Sequence, residues 1–118
     1  MEKEIVFKSL LYDFYSELLT ENQKFIVDMY YNNDLAISEI SEELNISRQG
    51  IYDTLKRANN ALEAYESKLG LVEKFLRRKE LLLRINEVID STLCSKQYSI
   101  KELKDKIKEI KTIAEKMI

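Results

Sequence analysis

The feature that most constrains this chain is the scarcity of residues that break helices. The 118 residues include no proline and only two glycines, Gly50 and Gly70. Proline and glycine destabilise helix interiors more than other residues do, so their scarcity leaves long segments free to form helices. Apolar residues recur at spacings of three and four, and no segment shows the period of two that is typical of strands. The sequence therefore predicts an all-α protein without β-sheet.

Capping residues and apolar spacing predict six helices. We expect them over 3–19, 21–31, 37–44, 48–69 and 71–93 and from 100 onward, with a loop over 91–98. Thr20 to Gln23 forms a capping-box pattern at the start of the second helix, and Ser99 to Glu102 repeats this pattern before the sixth. Asn45 suits the left-handed backbone of a sharp turn, and Gly70 the end of a helix.

The apolar faces of the helices predict the core. The first helix is expected to bury Phe7, Leu11, Phe14 and Leu18, and the second is expected to bury Phe25, Ile26, Met29 and Tyr30. Five tyrosines lie on or next to apolar faces and are expected to pack in a core or interface rather than stack on bases: Tyr12, Tyr15, Tyr30, Tyr31 and Tyr65. The last two helices carry more apolar surface than they can bury against each other. This excess predicts a homodimer.

Composition excludes several classes of protein. The chain has one cysteine, Cys94, and no histidine, which predicts no disulfide, no metal site and no cofactor. It also lacks a glycine-rich phosphate loop, a histidine base and a nucleophile motif, so we do not expect an enzyme. No apolar run is long enough to span a membrane, and the expected location is the cytoplasm.

The net charge of −2 conceals an asymmetry. Residues 1–66 hold 6 Lys/Arg against 13 Asp/Glu, whereas residues 67–118 hold 13 against 8. The two ends are therefore expected to favour different partners.

A helix-turn-helix is predicted from Ile37 to Ala58. Four apolar residues stand where two short helices must cross, namely Ile40, Leu44, Ile46 and Ile51. Asn45 supplies the turn and Ser47 the cap of the second helix.

This segment resembles the promoter-binding end of bacterial sigma factors. The run from Glu39 to Arg48 reads E-I-S-E-E-L-N-I-S-R and is similar to the sigma pattern E-I-A-E-E-L-G-I-S-R, and the resemblance covers about residues 19–62. Nearly the whole chain resembles the YlxM family (UPF0122), small helix-turn-helix proteins that gene neighbourhood associates with the signal recognition particle pathway. The resemblance implies an all-α fold, in which a sigma-factor-like helix-turn-helix lobe joins a basic helical C-terminal extension through a long helix.

The sigma resemblance also implies the nucleic-acid-binding residues. They would be Ser47, Arg48, Gln49, Tyr52, Lys56 and Arg57. Arg48 suits guanine or phosphate, and Gln49 suits adenine. Gly50, Tyr52 and Asp53 depart from the Arg/Gln-rich sigma pattern. Asp53 opposes phosphate, and glycine offers no contact. Residues 36–66 hold three basic against six acidic side chains, so the alternative is a helix-turn-helix that contacts protein.

A second candidate surface is the basic patch, which we define as Lys74, Arg77, Arg78, Lys79 and Arg84. Such a cluster binds nucleic-acid phosphates or an acidic protein surface, or is a solvated helix face.

We expect two domains, a helix-turn-helix lobe over 1–69, of the winged-helix or sigma-region-4 type, and a helical extension over 70–118. The predicted function is that of a non-enzymatic regulator or adaptor. Its expected partners are DNA or the RNA and protein components of the signal recognition particle, without membrane insertion or a small-molecule substrate. The alternatives are a sequence-specific transcription regulator and a purely protein-binding module.

Overall fold

The computed structural model describes residues 2–94 and 97–118, and these ranges contain helices and turns but no strand. The α-helices are α1 (Glu2–Tyr15), α2 (Glu21–Val27), α3 (Ile37–Leu44), α4 (Arg48–Leu69), α5 (Leu71–Cys94) and α6 (Ile100–Glu115). A 3-10 turn, Ser16–Leu18, follows α1, and a π-helical turn, Asp28–Asn32, follows α2. The predicted all-α fold is confirmed.

Local capping explains why most boundaries agree with the sequence. The Thr20 hydroxyl accepts a hydrogen bond from the Gln23 amide at 3.1 Å, and the Gln23 side chain accepts one from the Thr20 amide at 3.2 Å. Asn45 ends α3 with φ 55°, and Gly70 ends α4 with φ 63°. Both residues adopt the left-handed conformation in which a backbone amide turns back onto the preceding helix.

Three predicted boundaries were wrong. The first helix stops being α-helical at Tyr15 rather than Leu19, and the second becomes π-helical at Asp28, where the Asn33 amide bonds the Asp28 carbonyl at 3.1 Å. The loop predicted over 91–98 begins later, because α5 continues to Cys94. The hydroxyls of Ser91 and Thr92 both donate to the Val88 carbonyl, so these polar residues remain compatible with helix. Residues 95 and 96 of the predicted loop lie outside the described ranges.

The chain divides into two compact units, the first ending at Val72 and the second beginning at Glu73. The core of the first unit is formed by α1, α2, α3, α4 and the start of α5. Its buried apolar side chains are Leu11, Tyr15, Leu19, Ile26, Val27, Met29, Ile40, Ile51, Leu55, Ala58, Leu62 and Val72. In the second unit, Leu81 and Ile113 are the buried apolar side chains among the described residues.

The buried face of α1 differs from the predicted one. Phe7, Phe14 and Leu18 are exposed, whereas Leu11 lies in the core together with Tyr15 and Leu19. Phe25 of α2 is likewise exposed. Because neighbouring helix positions carry similar apolar spacing, the packing partners of α1 decide which set is buried.

Candidate nucleic-acid interface

The helix-turn-helix consists of α3, the turn 45–47 and α4. Ile40 and Ile51 are completely buried where the two helices pack, as the sequence predicts. The turn is held by the Ile46 amide, which donates to the Ser41 carbonyl at 3.2 Å, and by the Ser41 hydroxyl, which donates to the Ile46 carbonyl. The Ser41 hydroxyl thus satisfies a carbonyl that the sharp turn leaves without a helical partner.

Gly50 has a packing role that the sequence interpretation missed. A Cβ atom at this position would lie 2.9 Å from Ile46 Cγ2 and 3.1 Å from the Ser47 hydroxyl oxygen. The missing side chain therefore leaves room for Ile46 to fold back over the start of α4. Ile46 keeps 37% of its surface exposed, so it covers this turn rather than anchoring the core.

The predicted nucleic-acid-binding residues all lie in the first three turns of α4 or at its cap. The Ser47 hydroxyl accepts from the Gly50 amide at 3.0 Å and so holds the helix start. Arg48, Gln49, Tyr52 and Lys56 are exposed. At about 100° per residue they fall within an arc of about 100°, and exposed Arg57 lies on a different side. The structure thus groups these four side chains and separates Arg57 from them.

Gln49 already has a partner on its own helix. Its side-chain amide donates to the Asp53 carboxylate at 2.9 Å. Gln49 must break or share this bond to contact an adenine, which needs both the donor and the acceptor of the amide. Asp53 also places a negative charge beside the row of binding residues.

The electrostatic surroundings of the motif are acidic. Glu39, Glu42 and Glu43 are exposed on α3. None of Arg48, Lys56 and Arg57 forms an ion pair with another residue that the structure describes. The three basic side chains are therefore available to an anionic ligand, although phosphate approach is opposed by the acids of α3.

The basic patch lies on α5, in the second unit. All five of its side chains are exposed, and none is ion-paired within the described ranges. From the helical repeat, Lys74, Arg77, Arg78 and Arg84 span an arc of about 120°, whereas Lys79 points away from them. A continuous helix thus presents a stripe of four cations.

Four of the five tyrosines pack as the sequence predicts. Tyr15 is buried, and Tyr12, Tyr30 and Tyr65 pack against the core while partly buried. Burial raises the pKa of Tyr15, and so does the hydrogen bond that its hydroxyl donates to Glu66. Burial and the nearby Asp28 carboxylate raise the pKa of Tyr12.

Tyr31 is different, because 43% of its surface is exposed and its hydroxyl accepts a bond from the Asn59 amide at 3.3 Å. Sequence analysis missed this pairing across 28 residues. It also missed Asn59 and Asn60, one turn beyond Lys56. The spacing of Tyr52, Lys56, Asn59 and Asn60 was the available signal, since such positions share a helix face.

Comparison with known proteins decides the family. The model of the "YlxM / p13 like" helix-turn-helix family, UPF0122, matches residues 1–106. The chain belongs to this family. The UPF0122 protein of Caldanaerobacter subterraneus subsp. tengcongensis is 54% identical over 89 residues, which cover 75% of this chain and 76% of that relative. A UPF0122 protein of Listeria monocytogenes serovar 1/2a is 41% identical over 105 residues, which cover 89% of this chain and 92% of that relative.

The match to the YlxM family includes both candidate surfaces. Residues 1–106 contain α4 with its exposed row and α5 with the basic patch. The family is described by its helix-turn-helix and is not an enzyme family. Within the described ranges, no helix is long and apolar enough to cross a membrane, and no cluster of His, Cys, Asp or Glu is placed to hold a metal ion.

Proposed function

We propose that this protein is a non-enzymatic, cytoplasmic adaptor that binds nucleic acid and acts in the signal recognition particle pathway. The observation that carries the nucleic-acid part is the exposed row Arg48, Gln49, Tyr52 and Lys56 on the capped start of α4. In helix-turn-helix proteins this end of the second helix contacts base edges. The assignment to the signal recognition particle pathway depends on the resemblance to the YlxM family.

The basic patch of α5 supplies what the helix-turn-helix lacks. Most affinity for nucleic acid comes from phosphate contacts, and α4 offers few cations within acidic surroundings. The exposed stripe Lys74, Arg77, Arg78 and Arg84 offers four more. We therefore assign phosphate binding mainly to α5 and base contacts to α4.

Two alternatives are each favoured by a specific observation. Arg48 and Gln49 suit guanine and adenine edges, which favours a sequence-specific transcription regulator that binds promoter DNA as a dimer. The exposed acids of α3 favour a module that binds only protein. The adaptor, the transcription regulator and the protein-binding module differ in the ligand that each still binds at physiological salt.

The test is a fluorescence-anisotropy titration of labelled duplex DNA and signal-recognition-particle RNA at several salt concentrations. Two variants are compared with the wild type, one with Arg77, Arg78 and Arg84 replaced by Ala and one with Arg48 and Gln49 replaced by Ala. We expect the first variant to weaken binding and to flatten the salt dependence, since fewer counterions are released. We expect the variant without Arg48 and Gln49 to bind the different nucleic acids with similar affinities, because it lacks side chains that suit base edges.

A variant with Lys101, Lys104 and Lys108 replaced by Ala is the matched control, because it removes the same charge from exposed positions of α6. Equal losses in this control and in the α5 variant would show that net charge alone matters and would contradict the assignment to α5. Loss confined to the α4 variant, with tight binding of one DNA sequence, would favour the transcription regulator. Absence of binding to either nucleic acid would favour the protein-binding module.

A further inference from the structure

One flank of α4 faces a surface depression that no part of the helix-turn-helix pattern predicts. It has a volume of about 310 Å³ and is lined chiefly by Tyr30, Tyr31, Tyr52, Lys56, Asn59 and Asn60. We call it the tyrosine hollow. It lies entirely within the first unit, where the π-helical turn that follows α2 approaches α4.

Three of the side chains that line the tyrosine hollow are aromatic. Tyr30 and Tyr31 pack edge to face with ring centroids 4.9 Å apart. Tyr31 and Tyr52 remain 43% and 52% exposed. Tyr30 therefore supports Tyr31 from one side, while Tyr31 and Tyr52 keep ring surface available to a flat ligand. Exposed rings beside a cation are the arrangement that stacks nucleobases.

The polar groups of the tyrosine hollow match a nucleotide. Lys56 is exposed and has no ion-pair partner among the described residues, so its ammonium is available to a phosphate. The Asn59 amide donates to the Tyr31 hydroxyl at 3.3 Å, which fixes the orientation of both groups. Asn60 is exposed and offers a free amide with a donor and an acceptor. None of the described residues that line the hollow carries a carboxylate.

These groups select an unpaired nucleotide over a duplex. In a duplex each base is stacked between its neighbours, and its flat face is closed to a side chain. A single strand or loop exposes the face for stacking and the Watson–Crick edge for amide hydrogen bonds.

We propose that the tyrosine hollow binds an unpaired nucleotide of single-stranded nucleic acid. The base would stack on Tyr31 or Tyr52, its edge would bond Asn60, and the adjacent phosphate would contact Lys56. This inference rests on the proposed function, since Tyr52 and Lys56 also belong to the exposed row of α4. The form of nucleic acid that the helix-turn-helix lobe recognises would then be a single strand.

The experiment measures the affinity of the full chain for four labelled ligands by fluorescence anisotropy. They are single-stranded RNA, single-stranded DNA and the matching RNA and DNA duplexes. Tyr31→Leu and Tyr52→Leu remove the stacking surface, and Tyr31→Phe and Tyr52→Phe retain it. Because both tyrosines are well exposed, all four variants are expected to fold, and circular dichroism during thermal unfolding checks this.

We expect single strands to bind more tightly than duplexes. Each Leu variant should weaken single-strand binding by about tenfold, and the Phe variants should bind as the wild type does. Tyr31→Leu, which lies outside the exposed row of α4, should leave duplex binding unchanged. A stronger response with RNA than with DNA would show that the 2′-hydroxyl contributes, and equal responses would identify the base and phosphate as sufficient. Both results support the proposal.

Two outcomes overturn it and are distinguishable. If duplexes bind, Arg48→Ala weakens them, and the Leu variants bind single strands like the wild type, the tyrosine hollow is not a nucleotide site while the proposed function stands. If none of the four ligands binds, the proposed function and this inference both fail.

Discussion

Asn45 holds the turn of the helix-turn-helix in a backbone conformation that few side chains tolerate. Its φ of 55° lies in the left-handed region, where a Cβ crowds the backbone unless the side chain is absent or bonds locally. Sigma-like motifs have glycine here, and asparagine is the next most suitable residue. At the scale of single residues, the motif thus depends on conformational freedom at Asn45 and on empty space at Gly50.

We predict that Asn45→Ala lowers the free energy of unfolding by about 1 kcal/mol. Alanine has a Cβ that crowds the left-handed backbone and no polar side chain that could bond locally. Asn45→Gly is expected to leave stability unchanged or slightly higher. Urea denaturation followed by circular dichroism measures both. Equal stabilities for the Ala and Gly variants would mean that the turn relaxes to another conformation.

Gly50→Ala tests the close approach of Ile46. Alanine in place of glycine stabilises a helix interior by about 1 kcal/mol. Here its Cβ meets Ile46 Cγ2 at 2.9 Å, and overpacking of this kind costs about 1–3 kcal/mol. We therefore expect Gly50→Ala to lower the thermal midpoint, whereas Ser67→Ala at an exposed position of the same helix should raise it slightly. A higher thermal midpoint for Gly50→Ala would show that the turn shifts without loss of stability.

At the scale of elements, a partly buried hydrogen-bond network joins α1, the end of α4 and the start of α5. The Tyr15 hydroxyl donates to the Glu66 carboxylate and accepts from the Leu71 amide at 3.1 Å. Glu66 also accepts from the Val72 amide at 2.9 Å. The amides of Leu71 and Val72 lie in the first turn of α5, where no helical carbonyl is available. The network therefore anchors Leu71 and Val72, the first two residues of α5, within the first unit.

Tyr15→Phe keeps the ring and removes the hydroxyl, so the Leu71 amide loses its acceptor and Glu66 loses a donor. Leaving a buried donor without a partner costs about 1–3 kcal/mol, and because the Leu71 amide is only partly buried we expect a loss of about 1 kcal/mol in urea denaturation. Tyr98→Phe, outside this network, is the control. A Tyr15→Phe variant as stable as the wild type would mean that water replaces the hydroxyl.

The same tyrosines predict alkaline instability. Burial raises the pKa of Tyr15 and of Tyr12 above the ordinary value of 10.0, so the unfolded chain releases these protons at lower pH than the folded one. Their contribution to stability is full below pH 10.0 and is lost as the pH rises through the folded pKa. We expect the free energy of unfolding to fall above about pH 10, and less steeply in Tyr15→Phe. Denaturation midpoints across this range measure both slopes.

At the scale of the whole molecule, several large apolar side chains of the second unit are exposed. Leu83 is 55% exposed, Leu93 78%, Ile100 73% and Ile107 64%. Large exposed apolar patches are typical of interfaces between proteins. In α6, Ile113 is buried, whereas Ile100, Leu103 and Ile107 are exposed. A second copy of this chain is the partner that the sequence predicts.

We predict a homodimer at micromolar concentration in sedimentation-velocity experiments. Replacing Leu83 and Ile107 with Lys should shift the protein towards the monomer, because charge at an interface is costly to bury. Ile118→Lys, at a fully exposed terminal position, is the control. A wild-type species of 14.0 kDa at all concentrations would contradict the dimer.

The sequence by itself determined the local features of this protein. The bounds of α3 and α4, the left-handed residues Asn45 and Gly70 and the caps at Thr20 and Ser47 agree with the structure, because each depends on residues within one or two turns. Family membership followed from a resemblance that covers nearly the whole chain. The row Arg48, Gln49, Tyr52 and Lys56 was also identifiable, since the sigma resemblance implies these residues and helical periodicity groups them.

Only the tertiary structure decided which side chains meet across the chain. The burial of Tyr15 rather than Phe14 depends on Glu66 and Leu71, which lie more than 50 residues away. The tyrosine hollow likewise brings Tyr31 against Asn59 through the π-helical turn, a local distortion that periodicity does not reveal. Such contacts depend on the packing of whole helices, whereas apolar spacing constrains only the face that each helix turns inward.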